Sequence, residues 1–317
     1  MAMETILAYP TRKHASATRA AATGLLHVEP NQAEVCPGPI LTARQVAVTV
    51  LRDLLPPGVD VLWFSEFSAL TEPLGMNERA LRTTLFRLAQ QGVVQGIRIG
   101  KRSAYRLAIA PDWQRSPDKE AAWSGAWCVA IRLRGRAPPA RRAACEANLV
   151  AAGFRPVAAG VLLRPQFGAC PVHAILERHR MQDATLVLTA EQPPTPGNRS
   201  VLDMVSDCWQ LGPLMSDYQE LSRRCEEFLA CPMSNHLSGG AEGEFVKGAL
   251  LLHEWQTLLS RDPALPAQLL PAQWPKEQAA ALIGELRSRV AQGAFVRGVL
   301  APARNRRPPS SGAGLSG

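Results

Sequence analysis

Residues Asn77 to Leu107 read NERALRTTLFRLAQQGVVQGIRIGKRSAYRL, a helix running into a basic hairpin. Asn77 is a good N-cap, and Glu78 brings an acid to the first turn, where the helix dipole favours it. At 100° per residue, Leu81, Leu85 and Leu88 share one face. Arg79, Thr83 and Gln90 then fall on the opposite face, with Arg82 and Arg87 on its flanks. Gly92 suits the left-handed residue that closes a helix. Val93 to Arg98 and Arg102 to Leu107 form two strands around the turn Ile99-Gly100-Lys101, with Arg98 and Arg106 expected to face each other across it. Helix, strand, basic turn and strand make the second half of a winged helix-turn-helix, which sets its helix in a major groove and its hairpin on the flanking backbone.

Three arginines on an outward helix face would by themselves read as an ordinary solvated surface. The hairpin changes the balance, since Arg98, Lys101, Arg102 and Arg106 follow within a short span containing no acid. The expected interface with double-stranded DNA is therefore Arg79, Arg82, Thr83, Arg87, Arg98, Lys101 and Arg102. Arg79, Arg82 and Thr83 are placed near base edges, Arg87 near phosphate, and Lys101 and Arg102 at the tip, on phosphate or minor groove. Phe86 falls on the outward half of the helix. Packing under the wing or at a dimer seam is the favoured reading, a thymine-methyl contact the other.

Upstream, Thr42 caps a helix through Leu55 with Val46, Val50 and Leu54 at helical spacing. Pro56-Pro57-Gly58 ends it, and Val59 to Trp63 reads as a strand. Ser65 is the expected cap of a second helix to Glu72. Downstream, the pattern becomes alternating strand and helix: Trp127–Leu133, Pro138–Ala152, Phe154–Ala158, Val161–Leu163, Val172–Arg180 and Thr185–Thr189. That order is βαββαβ, a ferredoxin-like split motif. Four helices follow, over Val201–Gln210, Asp217–Leu229, Gly243–Ser260 and Lys276–Ala291. The fold class is thus α+β and multidomain. The expected divisions are a disordered extension 1–39, a winged helix domain 40–110, a ferredoxin-like domain 120–192, an all-α domain 199–295 and a disordered tail 302–317.

Two further segments stand out: WSGAW at Trp123 to Trp127, and LLLHEWQTLLSRDPALPAQLLPAQW at Leu250 to Trp274. Together with NERALRTTLFRL and RIGKRSAYRL, they make the chain resemble the PaaX-type transcriptional repressors, regulators of phenylacetic acid degradation operons, over roughly residues 40 to 292. The resemblance implies a cytoplasmic, homodimeric repressor of phenylacetate catabolism genes. It also implies release from its operator by an aryl-CoA effector, phenylacetyl-CoA first. A CoA thioester brings phosphates and an aromatic ring, so arginine together with tryptophan would suit it. Trp123, Trp127, His253, Trp255 and Arg261 offer such types. His253, beside Glu254 and Trp255, reads more readily as a satisfied core histidine than as a catalytic base.

Composition fits this reading. Lys+Arg 35 against Asp+Glu 27 gives a formal +8 over 317 residues, compatible with a nucleic-acid partner. The seven cysteines, Cys36, Cys128, Cys145, Cys170, Cys208, Cys225 and Cys231, contain no C-x-x-C pair, which argues for reduced thiols and against a zinc site. No run approaches the length of a membrane span, so no membrane association is expected. Phosphate-loop, dinucleotide and nucleophile-elbow motifs are missing from the sequence, so neither an enzyme nor a cofactor is expected. Arg132, Arg134, Arg136, Arg141 and Arg142 could meet an acidic ligand or phosphate, but a solvated face is the favoured account. One alternative keeps the winged unit as an accessory to an RNA-associated or toxin-like ferredoxin-like domain. Another keeps DNA binding but reverses the sign of regulation or changes the aromatic acid pathway.

Overall fold

The computed structural model describes residues 41–108, 123–135, 137–166, 170–191, 200–231 and 240–301. The expectations for the N-terminal extension, the linker after Glu191, Arg136 and the tail from Pro302 lie outside these residues. The N-terminal body runs α1 (Ala43–Asp53), β1 (Leu62–Trp63), α2 (Phe64–Thr71), α3 (Glu78–Gln90), β2 (Val94–Ile99) and β3 (Arg102–Leu107). Thr42 and Gln45 form a reciprocal capping box at the start of α1. Val46, Val50, Leu54, Phe67, Leu70, Leu81, Leu85 and Leu88 close one core. β1 is only two residues long and joins the hairpin as an edge, in the order β1-β3-β2.

Two local expectations are corrected. Ser65 does not cap α2. The helix begins two residues earlier than that cap implies, at Phe64, and the Glu66 carboxylate accepts the Trp63 N–H at 2.9 Å, so a side chain inside the first turn does the work of a cap. Nor do Arg98 and Arg106 face each other. Arg98 pairs with Ser103 and Arg106 with Gln95, which puts the two arginines on opposite faces of the hairpin. The register follows from the turn. Gly100 takes φ +60° as the first of two central residues, so Ile99 pairs with Arg102 and every later partner is fixed.

The central body contains β4 (Trp127–Arg132), α4 (Pro139–Ala151), β5 (Arg155–Ala158), β6 (Val161–Pro165), α5 (Val172–Arg178) and β7 (Thr185–Ala190). Its strands pair antiparallel throughout, in the order β5-β6-β4-β7. Because side chains alternate across a strand, β4 sends Cys128 and Ala130 toward α4 and α5. It sends Trp127 and Val129 the other way, onto Met204, Val205 and Trp209. The middle of the sheet is therefore covered on both faces, while Leu186 and Leu188 on the β7 edge stay exposed.

The C-terminal helices are α6 (Val201–Cys208), α7 (Leu211–Ala230), α8 (Gly240–Arg261), α9 (Lys276–Ala291) and α10 (Ala294–Leu300). α7 starts six residues before the expected Asp217. Its Gly212-Pro213 pair resembles a turn in the sequence, yet a proline in the first helical turn forfeits no hydrogen bond. α10 was not anticipated, and it lies against α2 with Val296 and Leu300 buried. These helices do not form a core of their own. Tyr218, Leu252, Ile283 and Leu286 belong to the same apolar cluster as Val50, Leu70 and Leu85 of the N-terminal body. At that seam Asp53, fully buried, receives Arg52 Nε at 2.8 Å and Arg287 of α9 at 3.0 Å.

Candidate nucleic-acid interface

α3 is fixed by its start and by its buried stripe. Asn77 Oδ1 accepts the Ala80 N–H at 2.9 Å, and Leu81, Leu85 and Leu88 sink into the core. The opposite face is left to solvent: Arg79, Arg82, Thr83, Phe86, Arg87 and Gln90 are all exposed. Phe86 stands 64% exposed at the centre of that face, so the expectation that it packs under the wing is not met within this chain.

Arg82 is the most constrained of the set. Its guanidinium lies 4.0 Å from the centroid of Phe64, and Phe64 in turn meets Tyr105 of β3 edge-on at 6.4 Å. A stacked guanidinium keeps its in-plane donors available, so the side chain is steered without being used up. The Glu78 carboxylate lies 3.3 Å away, but both groups are well exposed and such a pair adds little. Thr83 Oγ1 donates to the Arg79 carbonyl at 3.0 Å and keeps its lone pairs outward. Among the described residues Arg79, Arg87, Arg98 and Lys101 have no carboxylate within ion-pairing distance. That leaves an uncompensated positive edge along the helix and turn.

The wing divides its cations between two faces. Arg102 folds back over Trp63, its Cζ 4.5 Å from the ring centroid, on the side away from the core. Arg98 lies on the other face, and Lys101 occupies the turn itself. Arg106 donates its Nε to Gln95 Oε1 at 2.8 Å, and that pairing satisfies part of its donor set.

The five residues proposed for an effector do not converge. Trp123 and Trp127 meet edge-on at 5.5 Å, but Trp127 is fully buried behind Trp209. Trp255 is buried against Tyr218 in a different cluster. His253 is buried on α8 beside Arg52 and Asp53, facing α1 and not the central sheet. Desolvation lowers its pKa below the usual histidine value, and Arg52 lowers it further. Arg261 alone reaches a cavity of about 850 Å³ between the central sheet and the C-terminal helices. Sequence reasoning missed its other conspicuous residues, Arg155, Arg164, Trp209 and Gln210. Only the two arginines inside short apolar strands gave any sign.

Among the described residues no group of three or more His, Cys, Asp or Glu is placed to hold a metal. No described helix is long and apolar enough to cross a membrane.

The comparisons with known proteins match this arrangement at both ends. Residues 42–110, which run from the α1 cap past the wing, match the family model for PaaX-like protein. Residues 209–296 match the model for the PaaX-like protein C-terminal domain. The chain belongs to the PaaX-like family. A PaaX relative, the transcriptional repressor PaaX of Escherichia coli (strain K12), is 27% identical over 241 residues, covering 74% of this chain and 76% of that one. Among solved structures, the uncharacterized protein Rv0674 from Mycobacterium tuberculosis superposes with a TM-score of 0.50 at 25% identity. The alignment covers 79% of this PaaX-like chain and 96% of the other.

Proposed function

We propose that this protein is a cytoplasmic, sequence-specific transcriptional repressor of phenylacetate catabolism genes. The N-terminal body acts as a winged helix over residues 40–110, the central body as a ferredoxin-like domain over 120–192, and the helices of 199–295 as the regulatory part. The observation that carries the reading is the exposed, uncompensated basic face of α3 and its hairpin, in a chain similar to a transcriptional repressor of that name. Arg79, Arg82 and Thr83 face base edges, Arg87, Arg98 and Lys101 meet phosphate, and Arg102 extends from Trp63 toward the backbone. A homodimer would present two such helices about one helical turn apart, as a palindromic operator requires. The regulator carries out no reaction of its own and needs no cofactor. Its effector is an aryl-CoA thioester.

Release has a physical route. α8 packs on α1 of the reader through the His253 region, while its last turn, at Ser260 and Arg261, borders the cavity beside the central sheet. A ligand that prefers one placement of α8 shifts the reader only by its differential affinity for the two states.

The test is a gel shift on DNA upstream of the chain's own gene and of adjacent aromatic-acid genes. It is run with phenylacetyl-CoA, phenylacetate or CoA. The proposal expects a specific complex that the thioester alone dissolves. A complex that none of the three reverses would remove the effector and keep the reader. Binding without sequence preference would remove the operator reading as well.

A further inference from the structure

The cavity of about 850 Å³ opens where four segments meet: the end of α4 with β5, the end of β6, the link between α6 and α7, and the last turn of α8. That volume lies near the top of the range of small-molecule sites, large enough for a nucleotide or a coenzyme. Its walls carry Arg155, Arg164 and Arg261 together with Trp209. The acid on the wall, Asp262, is already committed: its carboxylate accepts the Tyr218 hydroxyl at 2.7 Å and pairs with Lys276 at 3.2 Å. Arg261 is held by Asp217 at 2.8 Å on an exposed rim. The balance of charge facing the space is positive.

Two details indicate that the cavity is built for an occupant. Arg155 is partly buried on β5 and donates only to the backbone carbonyls of Val150 and Phe154, at 3.0 and 2.8 Å. No carboxylate among the described residues lies within ion-pairing distance of it. A guanidinium removed from water without a counter-charge is costly, and burial lowers its pKa for that reason. Trp209, nine-tenths buried, has an indole Nε1–H with no acceptor among the described residues. A buried donor left unmade costs about 1–3 kcal/mol. An anion whose acceptor oxygens reached both groups would offset both costs.

We infer that this cleft is a binding site for a phosphate-bearing small molecule of nucleotide to coenzyme size, gripped by Arg155 and Arg261 with Trp209 as its apolar wall. Arginine is the side chain whose planar fork matches phosphate oxygens in pairs. The aryl-CoA identity of that molecule rests on the function proposed above, but the site itself stands on the cleft. Bound there, the ligand would hold the end of α8 against the central sheet.

Calorimetric titration of the full chain with phenylacetyl-CoA, CoA and adenosine 3′,5′-bisphosphate tests it, using wild type, Arg155→Gln and Ser260→Trp. Melting curves and operator gel shifts serve as folding controls. Ser260 is exposed at the rim and removes no charge when replaced, so it decides the matter if Arg155→Gln does not fold. The inference expects both folded variants to lose at least tenfold in affinity for whichever probe the wild type binds, with operator affinity retained. Thioester binding that neither variant weakens would overturn the cleft and leave the aryl-CoA reading standing. Variant-sensitive binding of adenosine 3′,5′-bisphosphate, with no operator release by the thioester, would uphold the cleft and sink that reading. If none of the three probes binds the wild type at millimolar concentration, the cleft is not a site for this chemistry.

Discussion

Arg82 shows how one exposed side chain is steered by its neighbours. Phe64 orients its guanidinium and Glu78 only brushes it. If it reads a base as proposed, Arg82→Ala should cost about 1–3 kcal/mol in operator binding and relax preference at one base position. Competition gel shifts over a randomised site would register it, and a uniform loss across all sequences would reassign Arg82 to the backbone. Lys101→Ala should instead weaken every sequence alike and flatten the slope of log affinity against log salt by about one. A different residue offers a chemical handle. The Cys170 thiol is pulled down to about 6, first by the Cys128 thiol donating to it and then by the Val172 N–H and Arg164, while that same hydrogen bond and then burial raise Cys128, and burial raises Cys145 and Cys225. Among the described cysteines, iodoacetamide at pH 7 should therefore label Cys170 ahead of those three, with a rate that climbs through pH about 6 as the thiolate forms. Peptide mapping that found Cys225 labelled first would contradict this. At this scale the exposed basic surface of α3 and its hairpin was legible because its residues are neighbours in sequence, all within Arg79 to Arg102. Arg155, Arg164, Trp209 and Arg261 are spread over a hundred residues, and only folding assembles them.

Among the elements, the ones with caps and a clean period were readable. Lys276–Ala291 was expected and is α9 to the residue, and α3 was marked at both ends by Asn77 and Gly92. The ones misjudged were those whose ends are set by tertiary partners. α2 begins where Glu66 can reach back to Trp63, and α10 gains its stability from packing against α2 and α8, neither of which leaves a local signal. The crossing of α8 and α9 is testable. A Cβ on Gly248 of α8 would stand 2.2 Å from Val290 Cγ2 of α9, and Val290 is itself buried and stiff at χ1. Gly248→Ala should lose about 1–3 kcal/mol to overpacking against about 1 kcal/mol of helix propensity gained. A urea melt is expected to show net destabilisation, and equal or greater stability would mean that α8 and α9 separate easily. At the neighbouring seam, Asp53→Ala removes the buried carboxylate that Arg52 and Arg287 share and should cost about 3–5 kcal/mol by the same assay.

Over the whole molecule, the N-terminal body and the C-terminal helices share a single core, a fact that no run of the sequence could disclose because its halves are two hundred residues apart. The shared core gives stability a pH signature. Burial holds His253 neutral, so its folded pKa lies below the unfolded value of about 6.5. The unfolded chain therefore takes up the proton first. Stability contributed at neutral pH should fall as pH drops below about 6.5 and level off once pH passes the folded pKa. His253→Gln should flatten that part of the profile in melts taken across pH 5 to 8, and an unchanged profile would shift the dependence to other groups. Sharing a core also sets a timetable for synthesis. α2 emerges from the ribosome long before α10, the helix that covers it, and the gap from Leu107 to Ala294 is some 190 residues. At about 5–20 residues per second, the N-terminal body waits about 10–40 s with part of its apolar surface uncovered. A nascent chain thus cannot complete its N-terminal body until nearly all of its C-terminal half has been made.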